Sequence, residues 1–71
     1  MTGREDVEKA IFQWVIGRNG ERDRRIMEMY LIDGITYREM MDRLNAEGYQ
    51  IGIDGLKKVI RKRKPAVLKH L

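Results

Sequence analysis

The chain has no cysteine and no serine, and it holds one proline, one phenylalanine, one tryptophan and one histidine among its 71 residues. Without cysteine there is no disulfide framework, no thiolate zinc site and no cysteine nucleophile, a composition most compatible with the cytoplasm. With no serine either, and with His70 as the lone imidazole, the chain offers little from which the nucleophile or acid–base pair of a concave catalytic site is built. No apolar run approaches the roughly eighteen residues of a membrane span. The stretch from Met1 to Glu8 is acidic, whereas a secretory signal starts basic. The expectation is a soluble cytoplasmic chain that is not an enzyme, with no cofactor, no metal, no small-molecule substrate and no membrane partner.

One further absence is local. From Leu56 to Leu71 there is no carboxylate, while seven Lys or Arg stand there: Lys57, Lys58, Arg61, Lys62, Arg63, Lys64 and Lys69. The preceding 55 residues hold the other eight basic side chains and all eleven acidic ones, so the net +4 divides into +7 on this segment and −3 on the rest. A dense cationic surface attracts a polyanion, because each phosphate it neutralises releases condensed counterions. Cations near a helix C-terminus also favour the helix dipole, but seven without one carboxylate exceed what capping needs. Nucleic acid is therefore the first partner to expect.

What is present suits a compact helical module: 42% of residues are apolar and 37% charged, enough for one small core and too few residues for two. One cooperative unit spanning residues 1–71 is expected. From Asp6 to Ile16 the positions Val7, Ala10, Ile11, Trp14 and Val15 recur at three- and four-residue intervals, the mark of one helical face. Phe12 and Ile16 widen this stripe, and in so small a chain burial is the expected fate of both. Phe12 and Trp14 are read as core rather than as stacking platforms. Gly17, Asn19 and Gly20 tolerate positive φ and mark a turn.

A second helix is predicted from about Glu21 to Asp33, closed by Gly34 in the left-handed conformation. Thr36 and Glu39 have the spacing of a capping box that opens helix three, whose Tyr37, Met40, Met41 and Leu44 face inward and which ends near Gly48. Met27, Met29, Met40 and Met41 are read as core fillers. A short extended turn follows over Tyr49 to Gly52. Helix four begins at Ile53 or Asp54, with Asp54 a candidate cap, and buries Leu56, Val59 and Ile60. At 100° per residue, Lys57, Lys58, Arg61 and Lys62 fall with Asp54 on the opposite arc. The positive charge is thus a stripe. Pro65 is expected to end or kink this helix, with Ala66 to Leu71 adding a turn or fraying.

The run Tyr30-Leu31-Ile32-Asp33-Gly34-Ile35-Thr36-Tyr37-Arg38-Glu39-Met40 resembles the start of the DNA-binding helix pair in bacterial sigma-factor region four. It is also similar to small phage regulators and to the N-terminal DNA-binding domains of phage terminase small subunits. Leu44-Asn45-Ala46-Glu47-Gly48-Tyr49 looks like the longer-turn variant of transposase and recombinase relatives. The resemblance covers about half the chain, Ile26 to Ile60, at superfamily level. Met41 stands where those families usually place a small alanine, and Gly52-Ile53-Asp54-Gly55 where they often place Ser, Thr or Arg.

The fold this implies is all-α, a small four-helix helix-turn-helix domain whose last helix enters the major groove of double-stranded DNA while the helix before it braces against phosphates. Carried over residue by residue, the resemblance puts Ile53, Asp54, Lys57, Lys58 and Arg61 before bases and Thr36, Tyr37 and Arg38 near the backbone. Lys62, Lys64 and Lys69 add sequence-independent attraction. A small footprint calls for a second copy on a neighbouring half-site, and Val7, Ile11, Trp14 and Val15 are the candidate homodimer contact. The implied role is that of a small phage or bacterial transcriptional regulator. The alternative is an adaptor or inhibitor of phage type, docking on a host protein through the apolar face of helix one and the methionine-rich helices.

Overall fold

The computed structural model describes residues 3 to 71; of the acidic start, Met1 and Thr2 lie outside them. Among the described residues there are four helices and no strand: α1 Arg4–Trp14, α2 Gly20–Glu28 continuing through a π-helical turn at Met29–Asp33, α3 Tyr37–Ala46 and α4 Ile53–Leu68. The all-α class is as expected. None of the helices is long and apolar enough to cross a membrane.

Local chemistry explains most of the boundaries. Asp6 lies in the first turn of α1 and reaches back to the Gly3 N–H at 3.3 Å. Gly34 closes the second helical stretch at φ 64, a conformation that costs an L-residue with a Cβ roughly 1–2 kcal/mol. The N–H groups of Gly34 and Ile35 both reach the Met29 carbonyl there. The Thr36 hydroxyl accepts from the Glu39 N–H at 3.2 Å, so the N-cap stands, but the Glu39 carboxylate pairs with Arg43 at 3.1 Å. Replacing Thr36 with Ala is expected to cost about 1 kcal/mol, lowering the Tm by about 4 to 8 °C in a domain this small. Thermal denaturation followed by circular dichroism checks this; an unchanged Tm would mean that the cap contributes nothing.

One hydrophobic cluster draws on all four helices: Ala10, Ile11 and Val15 from α1 and its end; Ile26, Met27 and Met29 from α2 and its π turn; Met40 and Leu44 from α3; Leu56, Val59, Ile60 and Val67 from α4. Met27, Met29 and Met40 are fully buried and Met41 is packed beside them. Met27, Met29 and Met40 thus fill the core. α4 packs against α1, α2 and α3 alike, which makes it the best-supported helix of the fold.

The burial expected of Phe12, Trp14 and Ile16 is corrected. Phe12, Trp14 and Ile16 are exposed, at 70%, 41% and 56%. Phe12 sits 100° beyond Ile11 on α1, past the buried stripe, with the Arg24 guanidinium over it, 4.7 Å from the ring centroid. Ile16 follows the end of α1 at Trp14, so the helical spacing that placed it in the stripe no longer applies. Conversely, Ile11 and Val15 are buried within the protomer and Val7 is partly buried against its core, which leaves Trp14 as the one exposed side chain among the expected homodimer contacts.

Pro65 neither ends nor breaks α4, which runs on to Leu68. A proline inside a helix costs about 3 kcal/mol. Continuation carries Val67 to complete burial, worth about 1.5–3 kcal/mol. It also lays His70 on Trp14, with ring centroids 3.6 Å apart and planes at 8°, a contact worth about 0.5–1.5 kcal/mol. The two terms together match the proline penalty. Asp54, finally, is not the cap of α4: Gly52 occupies that position and Asp54 lies in the first turn, where its charge still favours the helix dipole.

Candidate nucleic-acid interface

The buried side of α4 orders its exposed side. With Leu56, Val59, Ile60 and Val67 fixed in the core, a rotation of 100° per residue turns Lys57, Lys58, Arg61 and Lys62 to solvent, and all four are exposed. None of them has an ion-pair partner among the described residues, and neither does the exposed Lys69. The one carboxylate that shares this arc is Asp54, exposed at its N-terminal end.

Two of the seven C-terminal cations are occupied elsewhere. Arg63 Nε donates to Asp23 Oδ2 at 2.9 Å, and its Nη2 donates to the Ile16 carbonyl at 2.9 Å. The side chains are 14% and 5% exposed. The other Asp23 oxygen accepts from Arg22 at 3.1 Å, and Arg24 Nε donates to the Val15 carbonyl at 2.8 Å. Arginines from α2 and α4 therefore satisfy the carbonyls where α1 ends, so Arg63 holds the fold together. Lys64 is half-buried with its Nζ 5.5 Å from the Tyr30 ring centroid, a cation–π distance.

The other expected residues divide. Arg38 is exposed at the start of α3. The Thr36 hydroxyl is used in its cap. Tyr37 is stacked on Tyr30, centroids 6.2 Å apart, and is packed against the core. Ile53 is likewise turned toward the core and not into free space, because it flanks the Leu56 side of α4. Through Lys64, Tyr30 and Tyr37, the N-terminus of α3 is joined to one flank of α4.

The opposite flank was not read from the sequence. Arg18, from the turn between α1 and α2, and Arg22, in the first turn of α2, share an open cleft with Lys58 and Lys62 of α4. Their only sequence signal is proximity to the Gly17–Gly20 turn; the approach to α4 is tertiary. A wider concavity lies elsewhere, between α1 and α2, where Glu5, Glu8 and Glu28 line it with Lys9, Arg24 and Phe12. Its three carboxylates outnumber its two cations, which makes it unsuited to a phosphate, so its size does not identify the site.

The chemistry available on α4 is electrostatic and hydrogen-bonding. Lysines offer strongly hydrated point charges suited to phosphates, whereas Arg61 has the planar fork that can engage a guanine edge. Compared with known proteins, the chain matches no family model, no curated protein and no solved structure.

Proposed function

We propose that the chain binds double-stranded DNA, with α3 and α4 acting as a helix-turn-helix pair and α4 entering the major groove, as a small phage or bacterial transcriptional regulator would. The observation that carries this reading is the row Lys57, Lys58, Arg61 and Lys62: exposed, unpaired among the described residues, and borne on a helix whose other side is locked in the core. An α-helix with such a face fits the width of the major groove. Lys57, Lys58 and Arg61 meet base edges and phosphates, Asp54 at the entering end accepts from cytosine N4, and Lys62, Lys69 and Arg38 add contacts to the backbone.

A salt titration tests it. If four cations reach phosphates, log K falls against log salt with a slope of about −4, and affinity drops roughly a hundredfold between 50 and 200 mM. Selection of bound fragments from random duplexes then reads out what sequence, if any, is preferred. A flat salt response, or no binding at low salt, overturns the reading.

Phe12, 70% exposed, favours a second reading: an adaptor that docks on another protein through α1. Such an interface would centre on the exposed Phe12, Trp14 and Ile16, and its affinity would respond little to salt.

A further inference from the structure

The cleft that brings Arg18 and Arg22 to Lys58 and Lys62 has no place in the α4 row. The two pairs are some forty residues apart in sequence, as Arg22 and Lys62 show, yet they border one opening of about 310 Å³ together with Asn19. Arg18 and both lysines are exposed and have no ion-pair partner among the described residues. Arg22 is held in place by Asp23, which takes its Nε and Nη2 and leaves its Nη1 uncommitted. Asp23 also faces the cleft, but it is buried and both of its oxygens are taken, one by Arg22 and one by Arg63. Glu21, exposed beside Arg18 on the outer side of the turn, is the other carboxylate nearby. The cleft also opens on the start of α2, whose N-cap Asn19 makes no side-chain capping bond, so first-turn N–H groups remain for an anion.

We infer that this cleft is a phosphate site: Arg18, Arg22, Lys58 and Lys62 grip neighbouring phosphates of the DNA backbone beside the groove that α4 enters. The assignment rests on the DNA-binding reading and extends it from one helix to two elements. α4 alone leaves the protein free to roll about the helix axis. A contact on its Lys58–Lys62 flank, from a turn anchored in the core by Val15 and Gly20, fixes that angle. Phosphate contacts of this kind set register without reading sequence. The α1–α2 turn thus becomes a positioning element for the bases that α4 reads.

Arg18→Gln isolates the site, because Arg18 is exposed and takes no part in the Asp23 network. Loss of one phosphate contact is expected to reduce the slope of log K against log salt by about 0.9 and to weaken duplex binding about fivefold at 0.15 M salt, equally on all sequences. Unchanged slope and affinity in Arg18→Gln, alongside a wild-type chain that binds duplex, overturn the cleft assignment and leave the α4 reading standing. A titration of the full chain with inorganic phosphate, followed by the amide resonances of residues 18–22, decides the cleft without DNA. Saturable shifts there that Arg18→Gln removes support an anion site even if duplex binding fails, and their absence overturns it.

Discussion

A chain carrying Lys58→Ala together with Arg61→Ala is expected to lose duplex DNA binding while folding as the parent does. Both side chains are exposed on α4 and unpaired among the described residues, and alanine is the best helix former. Removing two phosphate contacts lowers the salt slope by about two and weakens binding about thirtyfold at 0.15 M salt. If Arg61 engages a base edge, a further loss of about 1–3 kcal/mol falls on the preferred sequence alone. Fluorescence anisotropy on a labelled duplex across a salt series, paired with a thermal melt of the variant, measures both. Wild-type affinity in the double variant would remove α4 from the interface. A protein-docking function through α1 predicts that result, since Phe12 and Ile16 lie outside the α4 row.

The second large effect concerns stability. Asp23→Ala is expected to leave the chain largely unfolded near body temperature. The substitution strands Arg63, 14% exposed, without its carboxylate, and breaking one side of a buried pair costs about 3–5 kcal/mol. At about 0.05–0.15 kcal/mol per residue, a chain of this length has only about 4–11 kcal/mol in total. The loss spreads, because the same Arg63 donates to the Ile16 carbonyl and so holds the end of α1. Urea denaturation followed at 222 nm gives the midpoint. The paired replacement Asp23→Leu with Arg63→Met removes both charges and should recover much of the loss, since apolar isosteres often equal or exceed a buried pair. A midpoint unmoved by Asp23→Ala would show that the ion pair has no structural role. DNA binding by the refolded double variant would separate the two functions of the C-terminal cations, as Arg63 is absent from the proposed contact row.

What was legible from the residues was whatever is decided within a few positions. The glycine-rich turn at 17–20, the left-handed Gly34, the Thr36 cap and the Leu56, Val59 and Ile60 face each depend on neighbours one turn away or less, and each is found. The cationic stripe was legible for the same reason, as helical periodicity alone sets which residues share an arc. What was not legible needed the third dimension. How wide an apolar stripe α1 buries depends on where α2 and α4 lie, so Phe12 and Ile16 were misjudged. Helix passage through Pro65 depends on Val67 reaching the core. The bond from Asp23 to Arg63 spans forty positions, and no short-range pattern distinguishes Arg63 from the cations around it. The approach of Arg18 to Lys62 belongs to the same kind. The π turn at Met29–Asp33 has no residue signature we can assign; its visible result is the placing of Tyr30 against Tyr37 and Lys64.

The stack of His70 on Trp14 gives the molecule a built-in optical gauge. Trp14 is the sole indole in the chain, and its face is covered by a ring from the last helical turn's extension. Emission from that single fluorophore therefore reports whether the tail is docked on the opening helix, and it does so without a label.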